Sequence, residues 1–382
     1  MSGTVKVAFV TIFCPHYRIK TFETLACYHD VDYYFFSAGG EWYWQQEHGV
    51  RAGHFQYEYL PGFRLGRTRI VPTLPWKLWR GNYDVYIKCI NGKFALPVTY
   101  LVARLRRKPF ILWTGLWMRL QTPFHRLFFP LTRFIYRHAD AIVVYGQHVK
   151  RHLTSEGVPA ERVFVAAHAM DNDAYNEPVS QDETDGLREK LGIESRKVVL
   201  FLGRLEEVKG LDYLLEAFAN LTRDDAVLIL AGTGSKKAQL RSLARQMGIA
   251  DRVRFAGYVQ PEDTPLYYAL ARVLVLPSVT TPVFKEPWGL VLNEAMNQGV
   301  PVIATDAVGA AAGGLVQDGV NGFVVPERDS VALGHALQRI LDDRALREQM
   351  GQNARRTIDG WDNEAMVLGF RQAIDAVARG GA

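Results

Sequence analysis

The stretch FKEPWGLVLNEAMNQGVPVIATD, from Phe284 to Asp306, places two carboxylates, Glu286 and Glu294, in otherwise apolar surroundings. Glu286 precedes Pro287, and a residue before proline is pushed away from helical geometry, so it belongs to a loop. The spacing predicts a helix from near Gly289, with Leu290, Val291, Leu292, Ala295 and Met296 as its apolar positions. Glu294 then falls in the second turn, beside the buried stripe. A loop glutamate and a helical glutamate would flank a helix N-terminus, whose free backbone N–H groups around Gly289 to Val291 favour an anion. This arrangement offers two acceptors for sugar-type hydroxyls on either side of a phosphate position. The plainer alternative is an exposed loop glutamate and a salt-bridged helical one.

A second group lies in FLGRLEEVKGLDYLLEAF, where Gly203, Arg204, Lys209 and Gly210 follow the strand-like run KVVLFLG and head the next helix. Ligands of α/β proteins sit at strand ends. Two cations five residues apart on one such loop can both reach a diphosphate, Arg as a planar fork and Lys as a mobile point charge. An ordinary charged surface loop is the alternative. AGTGS, with Gly232 and Gly234, follows the strand AVLIL and reads either as a phosphate cradle or as a structural turn.

The elements that must position these groups are legible as short β-branched and aromatic runs alternating with amphipathic helical stretches, the signature of parallel α/β architecture. The predicted strands are VKVAFVTI, VDYYFF, VYIKC, PFILWT and AIVVY in the first half. In the second half they are KVVLFLG, AVLILAG, VRFAGY, VLVLP, VPVIAT and GFVVP. With 382 residues, two domains are expected. The expected fold is α/β, two doubly wound Rossmann-like domains facing across a deep cleft. Expected boundaries are 1–172, a polar linker 173–196 carrying Pro178 and Gly186, 197–360, and a terminal helix 361–382 packing back toward the first domain.

Charge is unevenly spread. Up to Met170 there are 22 Lys and Arg against 10 Asp and Glu; the remainder has 23 against 30. Trp42, Trp44, Trp76, Trp79, Trp113 and Trp117 also lie in the basic half. Such a half suits an anionic partner, of which a membrane surface reached peripherally is favoured and nucleic acid is not expected. Solvated arginines and core aromatics are the alternative. No apolar run approaches transmembrane length, and MSGTVKVAFV does not read as a signal peptide. Cys14, Cys27 and Cys89 have no metal-like spacing. A cytoplasmic protein, able to rest on the inner face of the membrane, is the expectation.

Taken in order and spacing, GRLEEVKG, AGTGS, RFAGYV, EPWGLVLNEAMNQGVPVIATD and VQDGVNGFVVP resemble the donor-binding half of family 4 glycosyltransferases, retaining enzymes of the GT-B fold. The resemblance is close over about 196–330 and looser elsewhere. It implies that Glu286 and Glu294 are the two glutamates of an E-x7-E pair, near the transferred sugar and the ribose respectively. Arg204 and Lys209 would hold the diphosphate, and Gly289, Leu290 and Val291 would offer it backbone N–H groups. Gly257 and Tyr258 would lie by the base, with Gly203, Gly232, Gly234 and Trp288 completing the donor side. The implied donor is a nucleotide-diphosphate sugar, UDP-linked by family habit with GDP and ADP open. The acceptor would be a glycan, lipid-linked or small-molecule hydroxyl, and no cofactor or metal is expected.

The first half departs from that pattern. The histidine that many members carry after the strand matching PFILWT is absent, leaving Trp113, Thr114 and Gly115 there, with the Thr114 hydroxyl or a Gly115 N–H as substitutes. His125 downstream is expected to pack or face solvent. His168 stands where the hinge motif usually has asparagine, and CPHYRIKTFETL replaces the glycine-rich acceptor loop, with His16, Tyr17 and Arg18 as acceptor-side candidates. The paired aspartates of DND, Asp171 and Asp173, are expected to be structural rather than metal ligands. An epimerase or phosphorylase of related fold, or a non-catalytic binder of anionic membrane or nucleic acid, are the alternative functions.

Overall fold

A computed structural model describes residues 4–37, 53–66, 68–193 and 196–379. Trp42 and Trp44 lie outside the described residues. The chain forms two compact units. The first comprises 1–117, 122–171 and 362–382, and the second comprises 118–121 and 172–361.

Fifteen strands occur among the described residues. In the first unit they are β1 Lys6–Thr11, β2 Asp30–Phe35, β3 Tyr57–Tyr59, β4 Phe63–Leu65, β5 Thr68–Ile70, β6 Val85–Cys89, β7 Phe110–Thr114, β8 Ala141–Val144 and β9 Val163–Val165. Seven of them form a wholly parallel sheet in the order β3-β2-β1-β6-β7-β8-β9, while β4 and β5 form an antiparallel hairpin. Alternate residues feed two cores. Ala8, Val10, Leu112 and Val144 meet the helices Leu74–Arg80, Ala95–Leu105 and Pro123–His138 on one face. Val7, Phe9, Ile111 and Val143 meet Phe22 of the helix Ile19–Tyr28 and Met366, Phe370 and Ile374 of the terminal helix Asn363–Arg379 on the other. A parallel sheet covered on both faces explains why its strands read as continuous apolar runs.

The second unit has β10 Lys197–Leu202, β11 Ala226–Ala231, β12 Val253–Gly257, β13 Val273–Leu276, β14 Val302–Thr305 and β15 Gly322–Val325, parallel in the order β12-β11-β10-β13-β14-β15. The chain order doubles back at β10, so the loops after β10 and β13 stand at the topological switch point.

The stretch 173–196 differs from a plain linker. It holds the helices Asp173–Asn176 and Gln181–Leu191, and both belong to the second unit. Ser180 and Glu183 close a reciprocal capping box, and Gly192 ends the helix at φ +59°. Gly186, expected in a loop, is instead a helix-interior glycine with open space where a side chain would point. Gly186→Ala is expected to stabilise the protein by about 0.5–1 kcal/mol, visible as a raised melting temperature. A drop would show that the helix is not built this way.

Candidate active site

The loops that follow β10, β11 and β12 are joined backbone to backbone. Gly203 N–H donates to Ala231, Gly232 N–H to Gly257, Leu205 N–H to Thr233 and Lys236 N–H to Leu205. A Cβ at Gly232 would sit 1.8 Å from the Gly203 carbonyl oxygen, and one at Gly234 would sit 2.3 Å from that of Leu205. The glycines of AGTGS are therefore spent on letting this loop lie against GRL. Glu206 completes the junction, accepting from the Ser235 N–H at 3.0 Å and the Ser235 hydroxyl at 2.6 Å. Burial works against the Glu206 carboxylate, but those two bonds and the nearby Arg204 charge hold its pKa below the usual range. Gly232→Ala should cost about 3 kcal/mol or more, since backbone must move at φ +139°. A thermal melt that shifted by less than a degree or two would contradict the close approach.

Lys209 is brought to the same edge by a single turn, Glu207–Lys209, ending at Gly210 with φ +62°. A Cβ at Gly210 would meet the Pro277 carbonyl oxygen at 2.1 Å, so this turn is pressed against the end of β13. There the Lys209 ammonium pairs with the Glu286 carboxylate, and Ser278 donates its hydroxyl to the same carboxylate at 3.0 Å. Glu286 is buried, which makes the pair's partnership energetically important. Its backbone is fixed as well, since Gly309 N–H donates to the Glu286 carbonyl. Ser278 is in turn held by Thr305, whose hydroxyl donates to the Ser278 carbonyl at 2.5 Å. The sequence offered one hint of Ser278, its position two residues beyond the strand VLVL. The loop after β13 gains further order where Thr280 N–H donates to Glu327 at 2.5 Å.

Trp288 is fully enclosed, its indole N–H donating to Asn293 at 2.9 Å and its ring lying 5.3 Å from that of Trp361. It anchors the loop inward rather than presenting a face to a ligand. Gly289 has φ +98°, a left-handed conformation outside the helical region, and the helix is Val291–Asn297, two residues later than expected. Leu290 is its cap, and Glu294 lies in the first turn rather than the second. Within that turn the Leu292 N–H donates to the Gly289 carbonyl and the Glu294 N–H to the Leu290 carbonyl, each at 3.0 Å, and Leu290 and Val291 are partly buried.

Glu294 accepts a hydrogen bond from the Tyr268 hydroxyl at 2.5 Å. Enclosure of the carboxyl pushes its pKa up to about 7, against the opposing effect of that bond, and the Tyr268 phenol is held well above its usual value by burial and by Glu294. Nothing in the sequence pointed to Tyr268, which comes from the helix Thr264–Leu270. Arg204 is partly buried on the β10 loop, and Tyr258, just past Gly257 at φ +79°, is 47% exposed. The second unit thus unites Lys209 and Glu286 directly, whereas Glu294 has a separate partner.

Among the first unit's candidates, Arg18 is buried, not presented on an open loop. Its guanidinium donates to the Ala169 carbonyl at 3.2 Å and to Met366 Sδ at 2.8 Å, and it meets the His168 ring. The Trp113 and Tyr145 rings lie 5.4 and 5.9 Å from it. His168 is also buried, 4.0 Å from the Tyr145 ring, and burial plus the Arg18 charge drive its pKa well below normal, so it is a neutral packing partner. The Thr114 hydroxyl is occupied by Leu116 N–H at 3.1 Å, and a Cβ at Gly115 would strike the Tyr145 ring at 2.4 Å. Thr114 is thus buried, and the bare Cα of Gly115 is set by packing against Tyr145. His16 is exposed and Tyr17 partly so. His125 is partly buried, its ring 2.5 Å from the Thr122 hydroxyl. Asn172, between the two aspartates of DND, donates to the Ile358 carbonyl at 3.1 Å.

Comparison with known proteins fits this layout. The profile of the family described as glycosyl transferases group 1 matches residues 183–357, and that of glycosyltransferase family 4 matches residues 10–174. The chain is 31% identical over 281 residues to the alpha-D-kanosaminyltransferase of Streptomyces kanamyceticus, covering 71% of each chain. It is 33% identical over 223 residues to the D-inositol 3-phosphate glycosyltransferase of Xylanimonas cellulosilytica, covering 56% of this chain and 51% of that one. The crystal structure of Anabaena HepE in complex with UDP superposes with a TM-score of 0.78 at 21% identity, covering 98% of this chain and 100% of that one. The two parallel Rossmann-like units, the paired family matches and the kanosaminyltransferase likeness together make this chain a member of the family 4 glycosyltransferases, with the GT-B fold.

Proposed function

We propose that the protein is a retaining glycosyltransferase that moves a sugar from a UDP-linked donor to an acceptor hydroxyl without a metal. The observation that carries this is the buried Lys209–Glu286–Ser278 group at the adjacent ends of β10 and β13. Departure of a nucleoside diphosphate increases negative charge on its outer phosphate, and positioned cations are the largest source of stabilisation for such charge. Lys209 and Arg204 fill that part, which a divalent ion would otherwise take. Glu286, held by Lys209 and Ser278, has the character of an oriented acceptor for sugar hydroxyls rather than of a nucleophile. Retention then follows from attack on the same face that the phosphate leaves, with a phosphate oxygen taking the acceptor proton. Glu294 is the proposed acceptor for the ribose hydroxyls.

The UDP assignment draws support from the Anabaena protein, solved with UDP and with UDP-glucose. The acceptor is proposed to be a glycan, lipid-linked or small cyclic polyol hydroxyl in envelope or polysaccharide synthesis. Calorimetric titration with UDP, GDP and ADP tests the donor side, and product anomeric configuration by NMR tests retention. UDP is expected to bind most tightly, equally with and without EDTA. Metal-dependent binding, or an inverted product, would sink the reading.

A further inference from the structure

Three neighbouring helices on one face of the first unit's sheet, Leu74–Arg80, Ala95–Leu105 and Pro123–His138, send Leu74, Leu78, Val102, Ala103, Ile135 and Tyr136 into the core. Their outer sides should then be polar. They are not. Among the described residues sixteen large hydrophobic side chains are exposed, and eight of them lie on these helices, so the apolar exposure is concentrated rather than scattered. Trp76, Trp79, Leu101 and Leu105 line one groove. Leu127, 73% exposed, and Phe134, 47% exposed, continue the surface on the third helix, which is tied to the second where the Tyr100 and Phe134 rings meet at 6.1 Å.

The charge around this surface has one sign. From Tyr59 to Ala139 there are fifteen Lys and Arg and a single acidic residue, Asp84. The three helices themselves contain no Asp or Glu. Arg80 lies over the Trp76 ring at 4.6 Å and Arg106 over the Trp79 ring at 5.5 Å, so guanidinium groups stand directly beside the exposed aromatics.

We propose that this outer face docks on an anionic lipid bilayer. Leucine, phenylalanine and tryptophan would enter the boundary between headgroups and acyl chains. The arginines, long enough to reach back, would meet lipid phosphates. Tryptophan and arginine side by side is the composition such a boundary favours. Nucleic acid would match the cations, but single-strand sites rely on stacking rings, and saturated side chains such as Leu101, Leu105 and Leu127 offer a base nothing to stack on. Among the described residues no helix is long and apolar enough to cross a membrane, so the contact is a lying-on one. The proposal does not depend on which donor the second unit takes.

Flotation of the full chain with vesicles is the test. The protein is expected to float with phosphatidylcholine vesicles containing phosphatidylglycerol, to stay behind with phosphatidylcholine alone, and to be partly released by high salt. Leu127→Ser with Leu131→Ser, both exposed on the third helix, and separately Arg80→Glu with Arg126→Glu, should each lower partitioning about tenfold or more with unchanged melting temperature. Brominated lipid should quench tryptophan emission, and Trp76→Phe with Trp79→Phe should abolish most of that quenching while leaving flotation intact. This second reading stands even if the serine variant is unstable. The proposal is overturned if anionic vesicles do not carry the protein, or if the apolar and charge-reversed variants float unchanged. It is equally overturned if duplex DNA competes the protein off vesicles and binds the serine variant as well as the wild type.

Discussion

Lys209→Met is expected to lower kcat by about 10²–10³-fold and to destabilise the fold by about 3 kcal/mol. The two losses have different origins. Glu286 is buried, pairs with Lys209 and accepts a bond from Ser278. Without the ammonium, a carboxylate remains in a poorly solvated position with its counter-charge gone, and removing one partner of a buried pair typically costs about 3–5 kcal/mol. The Ser278 bond places the expected value at the lower end. A double variant, Lys209→Met with Glu286→Gln, separates stability from chemistry. The neutral amide needs no counter-ion and still accepts from Ser278, so chemical denaturation should return to within about 1 kcal/mol of wild type. Turnover should stay low, because no cation stands at the leaving group. Recovery of turnover together with stability would reduce the pair to a structural fastening and sink the assignment of Lys209 as a catalytic cation.

The strands were readable because a parallel sheet buried on both faces leaves uninterrupted apolar runs, and all eleven expected runs appear as strands. Those overlooked, Tyr57–Tyr59, Phe63–Leu65, Thr68–Ile70 and Val163–Val165, are three residues each, too short to show a period. Helix 181–191 was overlooked although Ser180 and Glu183 spell a capping box, because Pro178 and Gly186 drew the reading toward a loop. The Lys209–Glu286 contact spans 77 positions in sequence. Its members could be named from local chemistry, but their meeting depends on β10 and β13 being neighbours.

On the first unit the local reading misled for an identifiable reason. Arg18 sits in a polar-looking string, CPHYRIK, which suggests an open loop. Its burial is set by residues about 150 and 350 positions away, Ala169 with His168 and then Met366 of the terminal helix. Sequence spacing carries no trace of such contacts. Nor does spacing show that the missing side chain of Gly115 answers to the Tyr145 ring.

Glu294→Gln is expected to change how both stability and nucleotide affinity depend on pH. In the folded chain the carboxyl titrates near 7, raised from 4.5 chiefly by its enclosure. Below about pH 4.5 native and unfolded chains both hold the proton. Between there and 7 the unfolded chain has released it while the native chain keeps it, so the native state binds more protons and stability falls as pH rises. The fall amounts to at most about 3 kcal/mol and ends above 7. Glutamine removes the titration, so urea midpoints measured near pH 5 and near pH 8 should differ less in the variant than in wild type. Nucleotide binding should run the opposite way. The ionised carboxylate can accept two ribose hydroxyls and the protonated one fewer, so the wild type should bind UDP more tightly as pH rises through 7 and release protons on binding at lower pH. The nucleotide's own phosphate also titrates nearby, but it does so equally for both proteins, and the difference between them isolates Glu294. That difference should grow toward about 1–3 kcal/mol above neutrality, read by calorimetry in two buffers of different ionisation enthalpy. Identical pH profiles for wild type and variant would place the ribose elsewhere, and with it the donor reading of the helix Val291–Asn297.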